Sequence, residues 1–138
     1  MPLRTAIPAL PVSDLPAATA FYRDRLGFAV TYADVDFAIV SRDECVLHLW
    51  VAGDAGWRDR ADFAQRPVRS GAEDFIAGTA SCRIEVSGDG ALDALFEELK
   101  AAGVLHYSSS QVVATDYGTR EFHVSDLANN LLSFYVRT

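Results

Sequence analysis

Cysteine is scarce in this chain. Cys45 and Cys82 are the only two, too few for a disulfide framework and not spaced like a zinc site. Each falls inside a β-like run, where a free thiol behaves as a small buried hydrophobe. The three histidines, His48, His106 and His123, form no HxH or HExxH pair. No apolar stretch approaches the roughly 18–20 residues that span a bilayer. The opening Met-Pro-Leu-Arg-Thr lacks the charged-then-apolar order of a signal peptide, so the expected compartment is the cytoplasm. Positive charge is also short. Twelve Lys and Arg stand against nineteen Asp and Glu, for a net charge of −7 and a pI near 4.8. That balance disfavours nucleic acid and anionic membranes and favours cationic or neutral ligands. There is no GxSxG nucleophile elbow, no GxxxxGK[ST] phosphate loop and no dinucleotide GxGxxG. Ser87-Gly88-Asp89-Gly90 reads as a turn and helix start.

What is present is the composition of an ordinary folded domain. The 138 residues are half hydrophobic and 22% charged, enough for one domain with its own core. Residues 4–12 read as an edge or irregular strand because they hold two prolines. A helix follows. Ser13 or Asp14 caps it, Pro16 fits its first turn, and Leu15, Ala18, Tyr22 and Leu26 make its apolar stripe. Gly27 ends it. Three β-like runs come next, at 28–33, 37–41 and 45–51, joined by hairpin connections at 34–36 and 42–44.

Residues 52–78 break the pattern. They carry four of the nine glycines and are expected to form a long connection, with a short helix near 57–65 and a possible functional role. The order then restarts. A strand at 81–87 precedes a helix at 91–102 with Leu92, Leu95, Phe96 and Leu99 at i, i+3, i+4 and i+7. Gly103 ends that helix. Further strands are expected in the neighbourhood of 104–109, at 119–124 and at 131–137.

Both halves therefore read strand, helix, Gly, three strands. Phe21-Tyr22 and Leu95-Phe96 occupy the same helical phase. This internal duplication predicts an α+β fold of two tandem βαβββ modules forming a curved mixed sheet around a ligand cleft. Module one covers about 3–51, the connection 52–78 and module two about 79–138, all within one domain.

The stretch Ile7-Pro8-Ala9-Leu10-Pro11-Val12-Ser13-Asp14-Leu15, followed by Phe21-Tyr22-Arg23-Asp24-Arg25-Leu26-Gly27-Phe28, resembles the opening module of the vicinal oxygen chelate superfamily. That superfamily includes glyoxalase I, extradiol dioxygenases and bleomycin-resistance proteins. Ala80-Ser81-Cys82-Arg83-Ile84-Glu85-Val86, the segment from Glu97 through Gly103 to His106, and Gly118-Thr119-Arg120-Glu121-Phe122 resemble its bleomycin-resistance branch. One departure is the turn before the last strand. The branch usually has Asp-Pro-x-Gly-Asn; here it is Asp126-Leu127-Ala128-Asn129-Asn130, and the loss of Pro and Gly is expected to alter a tight turn. Another is the aromatic-Gly pair, here Tyr117-Gly118 after Asp116.

The resemblance implies four metal-ligand positions, matched by Ile7, His48, Ser81 and Ser133. Only His48 readily ligates a transition metal, and a catalytic site needs about three protein ligands. The expectation is a metal-free, cofactor-free binding protein with no catalytic residue. By resemblance, it is a homodimer that sequesters cationic bleomycin-type antibiotics in clefts shared between subunits. The alternatives are a metal-dependent lyase or dioxygenase using His48, or a binder of another small ligand. Alternation places Val46, His48 and Trp50 on one strand face, apart from Cys45, Leu47 and Leu49. The candidate ligand-binding residues are Phe37, Val46, His48, Trp50, Trp57, Ser81, Arg83, Glu85, Tyr117 and Ser133. Aromatics in this set would stack on a flat cationic ligand, and carboxylates would attract it.

Overall fold

Of the two candidate caps, Asp14 rather than Ser13 opens the first helix. Its backbone is extended, and its carboxylate accepts from the Ala17 amide at 3.0 Å, leaving one fewer orphan donor in the first turn. The computed structural model describes residues 2–53, 59, 61–62, 64–67, 72, 75–88 and 90–138. Its elements are β1 (Ala9–Val12), α1 (Leu15–Asp24), β2 (Ala29–Ala33), β3 (Phe37–Arg42), β4 (Cys45–Val51), β5 (Ser81–Glu85), α2 (Ala91–Ala101), β6 (Val113–Ala114), β7 (Thr119–Ser125) and β8 (Leu131–Arg137).

The strands divide into two four-stranded mixed sheets, one per module, ordered β1-β4-β3-β2 and β5-β8-β7-β6. In each, the strand before the helix runs parallel to the last strand of its module, and the other pairs are antiparallel. This is the α+β tandem βαβββ fold. Each sheet spends one face on the helices. Leu10, Val12, Ala38, Val40, Leu47 and Leu49 from the first sheet are buried. They join Phe122, Val124, Leu132 and Phe134 from the second, with Tyr22, Leu92, Phe96 and Leu99 of the helices, in one core cluster. The core therefore lies between the modules as well as within them.

Polar ties cross the same boundary. Asp126 and Asn130 are buried in the β7–β8 turn. The Tyr22 hydroxyl of α1 donates to Asp126 Oδ2 at 2.8 Å. The Asn130 amide donates to the Pro11 carbonyl of β1 at 2.8 Å and to Asp126 Oδ2 at 3.0 Å. Asp126 Oδ1 accepts the backbone amides of Ala128 and Asn130 at 2.9 and 2.8 Å. The altered turn stays tight because Asn129 takes the left-handed position at φ 74°, which Asn tolerates better than most residues. Gly78 abuts this turn, and a Cβ there would lie 2.4 Å from the Ala128 carbonyl. At the other end of the boundary, Arg42 grips Glu98 with two bonds of 2.7 and 2.9 Å. Arg25 caps α2 by donating to the Ala102 carbonyl at 2.9 Å.

Two expectations need correction. The first strand is only Ala9–Val12, and Ile7 lies before it, 48% exposed. The prolines remove ladder donors, although the Pro8 carbonyl still accepts from the His48 amide at 3.0 Å. Residues 104–109 form no strand. Only Leu105 bridges to Val124, and the chain then turns at Tyr107–Ser110. The module's second strand is the two-residue β6 instead. The short helix expected near 57–65 falls largely outside the described residues; what is described there includes a turn in which the Gln65 and Arg66 amides reach the Asp62 carbonyl.

Tyr22 is fully buried, so its hydroxyl has no water to replace Asp126. Tyr22→Phe is expected to lower unfolding free energy by about 1.5–3 kcal/mol. Asp126→Ala should cost at least as much, because it strands the Tyr22 hydroxyl and two backbone amides. Urea unfolding measures both. A wild-type midpoint for Tyr22→Phe would remove this bond from the account.

Candidate ligand-binding faces

Among the described residues, no helix packs against the second face of each sheet. On the first sheet the β3–β4 register pairs Phe37 with Trp50, Ile39 with His48 and Ser41 with Val46. These six are partly buried, whereas their neighbours Leu47 and Leu49 are buried on the helix side. An irregularity between Val30 and Tyr32 sets Tyr32 opposite Ile39, on the open face. The result is an aromatic ladder. The Phe37 ring lies 4.4 Å from Trp50, 4.9 Å edge-on from His48 and 5.8 Å from Tyr32, centroid to centroid. The Tyr32 hydroxyl is anchored on Asp34 at 2.8 Å.

The open face of the second sheet is polar. Register places Ser81, Arg83 and Glu85 of β5 alongside Leu131, Ser133 and Tyr135 of β8, with Ser125, His123 and Glu121 of β7 beyond. Glu121 is its centre. Its side chain is only 5% exposed. It accepts from Arg83 Nη2 at 2.9 Å, from the Tyr117 hydroxyl at 2.9 Å and from the Thr119 hydroxyl at 3.0 Å. The Arg83 guanidinium holds the Glu121 carboxyl below the usual glutamate range, aided by the two hydroxyls and opposed by burial. His123 shares a 2.8 Å hydrogen bond with Ser133 through Nδ1, and its Nε2 lies 3.7 Å from Glu121. Glu85 pairs with Arg137 at 2.9 Å.

Among the ten residues expected from sequence, Phe37, Val46, His48 and Trp50 share the first open face. Ser81, Arg83, Glu85 and Ser133 share the second, and Tyr117 reaches it through Glu121. Trp57 lies outside the described residues. Glu121, Tyr32, His123 and Tyr135 were not among the ten. The period-two run Thr119, Glu121, His123 carries the signal for two of them: three polar side chains on one face of a strand whose other face is Phe122 and Val124. His106 stands apart, bonded to Ser125 at 2.8 Å and packed on Tyr107.

The four metal-ligand positions implied by resemblance do not make a donor set. Ile7 has no donor atom, the Ser133 hydroxyl is engaged by His123, and the His48 ring packs against Phe37. Among the described residues no three His, Cys, Asp or Glu cluster for a metal. These residues do not fit a catalytic divalent metal. The thiols offer no nucleophile either. Burial pushes Cys82 up to about 12 and raises Cys45 as well. A groove of about 710 Å³ runs between the modules over Leu26, Phe28, Ile84 and Phe134; of the expected residues only Glu85 borders it.

Two βαβββ modules, each with an open sheet face carrying aromatic or polar side chains, define the architecture of the glyoxalase/bleomycin resistance/dioxygenase superfamily. A family profile described as bleomycin resistance protein-like N-terminal matches residues 6–41. The chain is 45% identical over 130 residues to bleomycin resistance proteins of Geobacillus stearothermophilus and Staphylococcus aureus, covering 94% of this chain and 94% of each of those. The chain belongs to the bleomycin resistance protein family. It also superposes on the bleomycin-binding protein of bleomycin-producing Streptomyces verticillus, solved with copper(II)-bleomycin. That match has a TM-score of 0.70 and 30% identity, covering 97% of this chain and 96% of the other. No helix is long and apolar enough to cross a membrane among the described residues.

Because the folded pKa of Glu121 is depressed, the stability it contributes is fully present above the ordinary glutamate value of about 4.3. It is lost as pH falls through the lower folded value. Glu121→Gln should therefore melt below the parent at pH 7, and the two melting temperatures should converge as the pH drops below about 4. Thermal melts of both proteins across pH 3–7 read this out; parallel curves would mean the carboxylate charge adds nothing.

Proposed function

We propose that this protein confers resistance to bleomycin-type antibiotics by binding and sequestering them unaltered. The observation that carries the reading is the aromatic ladder of Tyr32, Phe37, Trp50 and His48, on a sheet face over which none of the described helices lies. Flat heteroaromatic groups stack on such rings. The chain's net charge of −7 attracts a cationic ligand. Its relatives are named for bleomycin resistance, and the Streptomyces verticillus protein binds the copper(II) form of the drug.

The binding unit in this proposal is a homodimer, with the 138 residues forming one domain of two modules. Both sheets spend their helix-side faces on one shared core, so both open faces turn away from it. A second copy brings the aromatic face of one chain against the Glu121 face of the other and makes two clefts. Phe37, Val46, His48 and Trp50 come from one subunit. Ser81, Arg83, Glu85, Tyr117 and Ser133 come from its partner. We place the protein in the cytoplasm, where the free thiols of Cys45 and Cys82 stay reduced.

Trp50 gives a direct probe. Bleomycin titrated into the protein should quench tryptophan fluorescence at micromolar drug and saturate at one drug per cleft, two per dimer. Trp57→Phe should keep the Trp50 share of that signal. Trp50→Ala should weaken binding about thirtyfold, the usual cost of truncating an aromatic anchor. Absence of quenching or heat at micromolar drug would sink the drug assignment and leave the fold untouched.

A further inference from the structure

The Glu121 face holds a cation already, and it is the protein's own. Its two carboxylates each have an arginine partner, Arg83 on Glu121 and Arg137 on Glu85. The two pairs differ in kind. In the Glu85–Arg137 pair both side chains are exposed, at 48% and 73%. In the Glu121–Arg83 pair the anion is 5% exposed and the cation 45%. Glu121 is fixed from within by Tyr117 and Thr119, whereas Arg83 reaches it with one nitrogen, Nη2. The Arg83 guanidinium also rests over the Tyr135 ring, 4.5 Å from its centroid. A preorganised carboxylate with an aromatic wall is the socket that recognises guanidinium and ammonium groups.

We infer that Glu121 and Tyr135 form a cation socket for the bound ligand, and that Arg83 is an exchangeable internal plug which a guanidinium or ammonium group of the ligand displaces. This deepens the proposed function and rests on it for the identity of the ligand. The socket itself is a property of the free chain. The consequence runs against simple charge counting. Arg83 lies on the binding face, yet it competes with the ligand. Its removal unmasks a buried carboxylate whose remaining hydrogen bonds come from two hydroxyls, with His123 Nε2 3.7 Å away. The plug also gives selectivity, because a neutral ligand cannot pay back the lost Arg83–Glu121 contact.

Two readouts test this on the full-length protein. The first is calorimetric titration of bleomycin into the parent, Arg83→Ala, Glu121→Gln and the double variant. Arg83→Ala should bind the drug about three- to tenfold more tightly, the fold-change expected from removing one partly exposed competing ion pair. Glu121→Gln and the double variant should bind at least tenfold more weakly than the parent. Unchanged or weaker binding by Arg83→Ala overturns the plug while leaving drug sequestration standing. The second readout needs no drug: millimolar ethylguanidinium should raise the melting temperature of Arg83→Ala and leave the double variant unmoved. If the parent and Arg83→Ala both fail to bind bleomycin, the functional reading falls and this rescue decides the socket alone. Rescue that depends on Glu121 supports it, and no rescue overturns it.

Discussion

The structure depends on one buried turn. Asp126 and Asn130 sit between β7 and β8, and through them the second module is bonded to α1 at Tyr22 and to β1 at Pro11. Burial and the neighbouring Asp126 charge push the Tyr22 hydroxyl well above its usual pKa, so it remains a donor. With the modules tied this way, the apolar faces of both sheets and both helices merge into one core. Phe122 and Phe134 stack at 5.3 Å on the core side of β7 and β8, with Phe96 edge-on to Phe122. The open faces are what remains once the core is satisfied.

That constraint explains the chemistry of the faces. A strand with one side in a core is free to vary the other side, and the two modules have used this freedom differently. The first carries rings stacked across β2, β3 and β4. The second carries a saturated polar network around Glu121. The aromatic ladder and the buried Glu121 carboxylate lie on different faces. In the proposed homodimer they would join the two requirements for a flat cationic ligand. The donor-poor set at Ile7, His48, Ser81 and Ser133 is consistent with a site that holds its ligand rather than transforms it.

Much of the fold is legible in the sequence where period and burial agree. β4 and β8 are readable to the residue because Leu47 and Leu49, and Leu132 and Phe134, alternate with residues of another face. α1 is readable from Asp14, Pro16 and its stripe. The stretch after Gly103 misleads because Val104 and Leu105 are apolar enough for a strand. In the fold, Val104 caps the core while Leu105 makes a single bridge. The site is legible in its first half, where alternation in β4 exposes Val46, His48 and Trp50. Glu121 is hidden for a physical reason. Its partners Arg83 and Tyr117 are 38 and 4 residues away, and only sheet pairing makes a carboxylate in an Arg-Glu-Phe run the buried centre of a network. The 126–130 turn misleads in the opposite direction, since Asn129 at φ 74° preserves the geometry that the missing glycine would supply.

The central claim is that a binding cleft joins the aromatic face of one chain to the Glu121 face of another. Complementation tests it most directly. Heterodimers of Trp50→Ala and Glu121→Gln subunits, purified with two different tags, are titrated with bleomycin by calorimetry. In such a heterodimer one cleft carries both substitutions and the other carries neither. The account predicts one site per heterodimer at parental affinity, although each homodimeric variant binds weakly. Heterodimers without a parental-affinity site would contradict it and place Trp50 and Glu121 in the same cleft of a single chain, or in no common cleft.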